Sequence, residues 1–414
     1  MPTAVGLALL TGGCLSYEDP SIPEDAIPFA SVLPFSGARA ASGANLERAM
    51  RFVADQVNAS EDSGIAGRQL NLLVSDSHSD TTRGTANARE LITEQHAPVF
   101  IGTEEPEITF GIANDVKAAG AVHLMPGLTS PRFHDPSTNA AWFRLAPSGE
   151  YLACALAKRM IADGINKAAT IVTPDDYSGS FATSFGTVFR EKGGMLLPSL
   201  KAQANASSHA GLLTTLAASG ADATVLVTTP TVAAQIVQEW SAGKRFGRWY
   251  LAPMMKDPEF LRNIPPGALD SAVGVSADIE GQSAAFSAFF AAGTGDLPLD
   301  AAAYYYDAAA MMSLTLAVAY ANLHAMPTAA QFKTFMMQTA SPPGAIVRFD
   351  DLAAGLNLAA AGQDIEYQGA AGSYVINALG DSVDTAAALW IISGDQFVTI
   401  GHDACVASEI AYAG

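Results

Sequence analysis

The chain has 414 residues, of which 49% are hydrophobic, and it carries 22 lysines and arginines against 41 aspartates and glutamates. This length and apolar content indicate a globular protein of more than one domain and exclude an intrinsically disordered chain. The net charge of −19 repels phosphate backbones and anionic membrane surfaces, which argues against nucleic acid as a partner and against membrane contact other than through an anchor.

The first predicted element is an export signal followed by a tether, together spanning residues 1–26. The apolar run "AVGLALLTGG" is too short to cross a bilayer and is followed by Cys14. Two glycines before Cys14 resemble a bacterial lipobox, in which the cysteine is lipidated; an ordinary cleaved secretory signal is the alternative. The polar, acidic "SYEDPSIPEDA" is typical of a flexible tether. We therefore predict an exported protein, periplasmic or at the cell surface, with a lipid anchor on Cys14.

Short apolar runs alternate with longer amphipathic ones from Ile27 onward, a pattern typical of βαβ units and a parallel sheet. Ser79 and Asp80 are candidate N-caps for the second helix. The predicted order is strand "IPFASVLPF", helix "GANLERAMRFVADQVNA", strand "QLNLLVSD", helix "TTRGTANARELITEQ", strand "PVFIG", a helix over residues 107–119 and strand "AVHLMP".

The alternation restarts after Arg144. The predicted order there is helix "EYLACALAKRMIADG", strand "AATIVTP", helix "SFATSFGTVFREKGG", strand "MLLPSLKA", helix "HAGLLTTLAASG", strand "ATVLVTT", helix "TVAAQIVQEWSAG" and strand "RWYLAP". The restart indicates a second lobe of the same α/β kind.

Later helices over residues 283–292, 301–323 and 329–339 are too many for the second lobe, so we expect them to return to the first. The strands "AALWIIS" and "QFVTIG" would complete the second lobe. We therefore predict an α/β fold of two interleaved lobes, each a parallel sheet flanked by helices. The predicted boundaries are 27–145 plus 277–368 for the N-terminal lobe and 146–276 plus 369–414 for the C-terminal lobe.

Polar turns follow several predicted strands, at the sheet edge where ligands bind in open parallel sheets. If the two lobes face each other across a hinge, these turns would line the cleft between them. The turns are residues 36–37, 103–107, 127–129, 175–178, 228–231 and 253–256.

The motifs of common enzyme sites are absent from the sequence. It has no G-x-x-x-x-G-K-[ST], no G-x-G-x-x-G after a strand, no G-x-S-x-G and no H-E-x-x-H. Its three cysteines have no C-x-x-C spacing, and no two histidines lie three or four residues apart. We therefore predict a protein that uses no metal or cofactor and is not an enzyme.

Three carboxylates, Glu104, Glu105 and Glu107, crowd around Pro106 after a predicted strand. Acid–base catalysis would require burial to raise the pKa of one of them. Acids at a helix start also complement the helix dipole, and Pro106 suits the first helical position. A third interpretation is a carboxylate that meets a cationic group of a bound ligand.

Several stretches of the chain, in their order and spacing, resemble the type I periplasmic substrate-binding proteins of ABC transporters, in the leucine/isoleucine/valine-binding branch. The resemblance implies two interleaved lobes with a three-crossover hinge, a small molecule bound in the cleft, and ABC permease subunits as partners of a monomer. The stretches are "LPFSGARAASG", "RFVADQVNASEDSGIAGRQLNLLVSDSHSD", "PVFIGTEEPEI", "AGAVHLMPGLTSPRF", "FRLAPSGEYLACALA", "VTPDDYSGSFATSF", "YYYDAAAMM" and "GAAGSYVINALGD".

The resemblance also implies a set of ligand-binding positions. Gly127 falls where the family uses backbone groups, Thr129 keeps an expected hydroxyl, and Tyr177 matches a tyrosine that closes over the ligand. Thr229 falls near a position that is often aromatic. The implied positions are Ser42, Pro106, Glu107, Gly127, Thr129, Tyr177, Thr229 and Met254.

Two of these positions depart from the family pattern. Pro106 stands where a hydroxyl usually meets the ligand's carboxylate, and Met254 stands where an acid often receives the ammonium. Burying an ammonium without a counter-charge is costly, so an amino-acid ligand would require Glu107 or Asp257 as a substitute. We expect a small, partly apolar solute, either an amino acid or an aromatic or carboxylic acid.

Two questions stay open at the level of sequence. Cys154 and Cys405 would be able to form a disulfide in an exported protein, but nothing in the sequence decides whether they do. The same fold also serves as a receptor domain, so a ligand sensor read by a partner protein is the alternative to delivery of a solute to a permease.

Overall fold

The computed structural model describes residues 23–37, 39–61, 63–103, 105–130, 141–243, 247–277, 280–299, 301–383 and 387–410. Cys14 and Glu104 lie outside these residues. The elements of the first segment are β1 (Ile27–Leu33), α1 (Ala40–Asn58), β2 (Leu70–Asp76), α2 (Thr81–Thr93), β3 (Val99–Ile101), α3 (Pro106–Gly111), α4 (Ala113–Ala119), β4 (Val122–Met125) and β5 (Trp142–Arg144).

The second segment runs from the first helix after β5 to a strand in a second sheet. Its elements are α5 (Gly149–Ala162), β6 (Lys167–Val172), α6 (Asp176–Glu191), β7 (Met195–Leu196), β8 (Leu200–Lys201), α7 (Ala210–Ala218), β9 (Ala223–Val227), α8 (Pro230–Ala242), β10 (Arg248–Leu251), a 3₁₀ turn (Pro253–Met255), α9 (Pro258–Asn263) and β11 (Val273–Ala277).

The last segment contains four helices and then returns to the second sheet. Its elements are α10 (Glu280–Thr294), α11 (Ala302–Leu323), α12 (Ala329–Ala340), β12 (Ala345–Arg348), α13 (Leu352–Ala360), β13 (Ile365–Gln368), β14 (Ala387–Ser393), β15 (Gln396–Asp403) and a 3₁₀ turn (Ala407–Glu409). Across the described residues, no helix combines the length and the apolar character that crossing a membrane requires.

The first sheet has the order β2-β1-β3-β4-β5 and is parallel throughout. One face packs against α1 and α10–α13 in a large apolar core, and the other packs against α2–α4. This sheet and these helices form the first lobe. The helices α10–α13 therefore return to the first lobe, as the sequence analysis predicts.

The second sheet has the order β15-β14-β11-β10-β9-β6-β7, with β8 also paired to β6. Its central strands are parallel, whereas β14 and β15 are antiparallel additions at one edge. Apolar cores lie on both faces, one with α5 and α6 and the other with α7–α9. The predicted α/β fold with parallel sheets flanked by helices is confirmed, and the residue boundaries of the two lobes stay a prediction.

Two predicted elements differ from the structure, each for a local reason. The helix predicted over 107–119 is interrupted at Ile112, where Gly111 lets α3 approach Thr85 of α2 closely: a Cβ on Gly111 would lie 2.8 Å from the Thr85 side chain. The strand predicted for "MLLPSLKA" is divided into β7 and β8. Pro198 lies between them, and a proline has no N–H to donate to a strand ladder.

The structure joins Cys154 and Cys405 in a disulfide between α5 and the segment after β15. The adjacent Glu409 accepts a hydrogen bond from Lys192 at 2.7 Å and from Lys158 at 3.1 Å. These contacts hold the end of the chain on the second lobe.

The chain passes between the lobes three times, from β5 to α5, from β11 to α10 and from β13 to β14. The third passage begins on a buried carboxylate, Asp307 of α11. Its Oδ1 accepts hydrogen bonds from the Tyr367 hydroxyl and the Ala370 N–H, both at 2.7 Å. Its Oδ2 accepts from the Tyr374 hydroxyl at 2.6 Å and the Ala371 N–H at 2.8 Å.

Burial raises the pKa of Asp307 to about 6, although the four donors act in the opposite direction. Asp307 is therefore still largely ionised at neutral pH, and its charge is spread over two phenols and two backbone amides. This network fixes the start of the third passage to the core of the first lobe.

A second buried contact holds the middle of the same passage. The Arg144 and Asp381 side chains are 1% and 8% exposed, and Nη2 of Arg144 lies 2.8 Å from Oδ1 of Asp381. Backbone bonds join the same segments, since the Arg144 N–H donates to Gly380 and the Ser382 N–H donates to the Arg144 carbonyl. The first and third passages are thus fastened to each other where both leave the first lobe.

We expect Asp307→Asn to lower the free energy of unfolding by about 2 kcal/mol. Each carboxylate oxygen receives one backbone N–H, so either orientation of the amide leaves a backbone donor facing an NH₂ group. Urea unfolding checks this, with Asp395→Asn, at an exposed turn, as the control. Equal stability of the two variants would contradict the assigned role of Asp307.

Candidate functional site

The candidate site lies at the carboxyl edges of the strands. It begins with the β3 turn, by which we mean the described residues that follow β3: Gly102, Thr103, Glu105 and Pro106. Gly102 has a φ of +111°, in the region that favours glycine. A Cβ on Gly102 would lie 3.1 Å from the Tyr305 hydroxyl and 3.3 Å from Oγ of Ser31. The turn therefore requires glycine here, both for its backbone and for the space that two polar side chains occupy.

The hydroxyls of the β3 turn are bonded within the turn itself. Thr103, which is buried, donates from Oγ1 to the carbonyl of Glu105 at 2.7 Å. Its N–H donates to Oγ1 of Thr109 at 3.3 Å, and the two threonine hydroxyls are 3.2 Å apart. These bonds fix the shape of the turn and already engage the hydroxyls that would otherwise meet a ligand.

His123 of β4 supports the β3 turn from below. Its ring is fully buried and lies edge-on to Phe100 and Trp142 of the neighbouring strands, with centroids 5.3 and 5.9 Å away. Nε2 is hydrogen-bonded to the carbonyl of Gly102, so this nitrogen carries the proton. Burial lowers the pKa of His123 to about 4, and the ring is neutral at neutral pH.

Glu105 places a shielded carboxylate on the β3 turn. Its Oε1 lies 3.3 Å from Nη1 of Arg39, and the two side chains are 14% and 49% exposed. Both carboxylate oxygens are out of contact with solvent and have no hydrogen-bond partner among the described residues. Burial raises the pKa of Glu105, and the positive charge of Arg39 offsets part of that effect.

The other sequence-predicted positions near this turn are more exposed to solvent than Glu105 or lie in a different helix. Pro106 and Glu107 are exposed in the first turn of α3. Ser42 is half-buried in the first turn of α1, whose N-cap position is Arg39. Of the clustered acids that the structure describes, Glu105 is thus shielded and Glu107 faces solvent.

A second group of predicted residues meets where the two lobes touch. The Gly149 N–H, at the start of α5, donates to the carbonyl of Thr129 at 2.8 Å. A Cβ on Gly149 would lie 3.0 Å from that carbonyl and 3.4 Å from the ring of Tyr177. Gly127, two residues before Thr129, is exposed. The structure therefore brings Thr129 and Tyr177 together around Gly149.

The Tyr177 ring is half-buried, but its hydroxyl oxygen is shielded from solvent. Burial raises the pKa of Tyr177; the Thr129 side chain acts against that shift, and the charges of Glu150 and Asp175 add to it. The phenol makes no hydrogen bond of good geometry among the described residues. It is therefore a neutral group that can still bond to a ligand.

Thr229 and Met254 follow β9 and β10 at the carboxyl edge of the second sheet. Thr229 is the half-buried N-cap residue of α8, and Met254 is 38% exposed. Asp257 uses its Oδ1 to cap α9, accepting from the N–H groups of Glu259 and Phe260 at 2.7 and 2.8 Å. Lys256, half-buried, lies 3.5 Å from the Ser276 hydroxyl. The second lobe therefore presents a cation next to the position where the family pattern has an acid.

Sequence reasoning did not single out Arg39 and Ser31, and it included Lys256 only as the last residue of the predicted turn 253–256. Arg39 and Lys256 both fall in turns after strands, the signal by which the other turns were found. No sequence pattern marks Ser31, which is close to Gly102 only because β1 and β3 are neighbours in the sheet. His123 was interpreted as a residue of the core or rim, and the structure places it in the core.

We expect protonation of His123 to destabilise the fold in acid. The unfolded chain binds this proton near pH 6.5 and the folded chain only near pH 4, so its stabilising contribution is complete above 6.5 and falls between 6.5 and 4. The total loss is about 3 kcal/mol. Urea unfolding at several pH values should show that His123→Gln removes this part of the acid sensitivity and that His402→Gln, at an exposed site, does not. Parallel pH profiles of wild type and His123→Gln would contradict the prediction.

Comparison with solved structures shows the same fold throughout. A leucine-binding protein, LivK, from Thermotoga maritima has 15% identity and a TM-score of 0.71 over 92% of this chain and 99% of its own. LivJ of Streptococcus pneumoniae, solved with isoleucine, has 17% identity and a TM-score of 0.66 over 91% and 99%. A benzoate-bound solute-binding protein of an ABC transporter from R. palustris has 17% identity and a TM-score of 0.65 over 93% and 99%.

No curated protein sequence matches the chain. A family model described as periplasmic binding protein matches residues 26–359, most of the chain. Members of that family are exported, non-enzymatic solute-binding proteins, in agreement with the predictions of export and of a binding protein. On this match the chain belongs to the periplasmic binding protein family.

Proposed function

We propose that this protein captures a small solute, an amino acid or a related small organic acid, between its two lobes and presents it to the permease subunits of an ABC transporter. We further propose that it acts as a monomer held at the membrane by lipid on Cys14. The observation that supports the binding site best is the meeting of Thr129, Gly149 and Tyr177 where the lobes touch.

The two lobes contribute different groups to this site. The first lobe supplies the carbonyl and side chain of Thr129, and the second supplies the start of α5 and the Tyr177 phenol at the start of α6. The buried phenol oxygen has spare hydrogen-bonding capacity, and satisfying it on binding would add to affinity. A solute held between these groups would stabilise the closed arrangement of the lobes.

The range of solutes is framed by the structural neighbours. One is described as leucine-binding, one was solved with isoleucine and one with benzoate. The shared fold therefore accommodates amino acids and an aromatic acid. For this chain we propose a solute of the same broad class, an amino acid or a small organic acid. The residues of its turns would determine which of these solutes it binds.

We expect a thermal-shift screen of ligand-stripped protein to reveal the solute. The panel covers amino acids, organic acids, aromatic acids and small amines. A ligand at about a hundred times its dissociation constant stabilises the fold by about 2.7 kcal/mol. If no compound of the panel raised the melting temperature, the result would contradict a solute-binding role.

The same ligand locates the site. Thr129→Ala and Tyr177→Phe should each weaken binding about tenfold while leaving the melting temperature of the free protein nearly unchanged. Tyr320→Phe, near the far end of α11, is the matched control. Unchanged affinity in both site variants would place the ligand elsewhere.

A further inference from the structure

Charged side chains at the carboxyl ends of the strands determine which part of a solute each lobe can bind. The inference drawn from them rests on the proposed function. A charged group of a ligand that is removed from water requires a partner of opposite charge or several hydrogen bonds. The acids at these edges therefore decide where a cationic group can be held.

Glu105 has the features of a receiving carboxylate. Both of its oxygens are shielded from solvent, and neither accepts a hydrogen bond of good geometry from the described residues; the nearest donors are the Arg39 side chain and the N–H of Glu105 itself. A carboxylate offers about four acceptor positions, so acceptor capacity is left over. Its charge is balanced on one side by Arg39, at 3.3 Å, but that cation is half-exposed and its approach lacks hydrogen-bond geometry. A ligand cation can add to this pair or take the place of Arg39.

The alternative acids are less suited to receive a ligand cation. Glu107 is exposed to water, and Asp257 caps α9 through two backbone bonds. In the second lobe, Met254 carries no charge, and Lys256 beside it would repel an ammonium. A cationic group therefore has its best partner in the first lobe and not in the second.

The β3 turn is also a poor receiver for a carboxylate. Pro106 has no N–H to donate, and the hydroxyls of Thr103 and Thr109 are bonded within the turn. The Glu105 charge would repel a second anion at short range. The turn is thus built to exclude the negative end of a solute.

We infer that the β3 turn receives a cationic nitrogen of the ligand on the Glu105 carboxylate, so the cleft selects amines or amino acids held by their ammonium in the first lobe and does not select simple carboxylic acids.

Two matched sets of probes test this by isothermal titration. One set is 3-methylbutylamine, leucine and 4-methylpentanoate, and the other is 2-phenylethylamine, phenylalanine and 3-phenylpropanoate. Within each set the apolar part is kept while the cation or the anion is removed. We expect an amine or amino acid to bind in at least one set and the matched carboxylates to bind at least about tenfold more weakly.

Three variants then assign the effect. Glu105→Gln should lower the affinity for the cationic probe about tenfold or more. Arg39→Gln should leave the affinity for the cationic probe unchanged or raise it, because the cation that competes for Glu105 is removed. Glu94→Gln, an exposed acid at the end of α2, should change nothing. The melting temperature of free Glu105→Gln, equal to or above that of wild type, shows that the fold is intact.

The outcomes separate this inference from the proposed function. Two results together would overturn the inference but leave the solute-binding role intact: tight binding of the carboxylates, and a Glu105→Gln variant that binds them as tightly as wild type or more tightly. Loss of binding in Arg39→Gln would assign the ligand's anion to Arg39 and also overturn it. If no amine or amino acid binds, the inference is also overturned. The wider thermal-shift panel then tests the proposed solute-binding function independently.

Discussion

The Asp307 carboxylate and its four donors anchor the chain where it leaves the first lobe for the last time. A buried charge with one donor missing would be costly, so the donors can hardly be lost singly, and the segment from Tyr367 to Tyr374 is fixed as a unit. Arg144 and Asp381 continue the anchorage a few residues later. Both contacts join residues that are 60 or more positions apart in the sequence, so they depend on the tertiary fold and not on local structure.

The position of the two lobes relative to each other follows from these anchors. The first and third passages are fastened together on the first-lobe side, so any bending between the lobes would occur beyond these contacts, towards α5 and β14. Gly149 lies just past Arg144 in the chain, where the start of the second lobe touches Thr129 of the first. A small rotation there would change the distance between the β3 turn and the start of α6, so closure on a solute would be a movement of whole lobes.

The alternation of strands and helices was predictable because each strand is short and apolar and each helix has one apolar face. The Asp80 cap was equally local, and its side chain accepts the Arg83 N–H at 2.8 Å. The break at Ile112 was not predictable, since it depends on how closely Gly111 approaches another helix. The same holds for Glu105: three neighbouring acids look alike in sequence, and only packing shows that Glu105 is shielded while Glu107 faces water.

The supports of the β3 turn are distinct from the groups that it offers to a solute. Gly102, Thr103 and the neutral His123 set its backbone through buried contacts. The side chain at position 105 can therefore vary without disturbing the turn. The fold itself is shared with proteins of only 15–17% identity. Since the His123 support is neutral, the Glu105 carboxylate would decide which end of a solute the first lobe accepts.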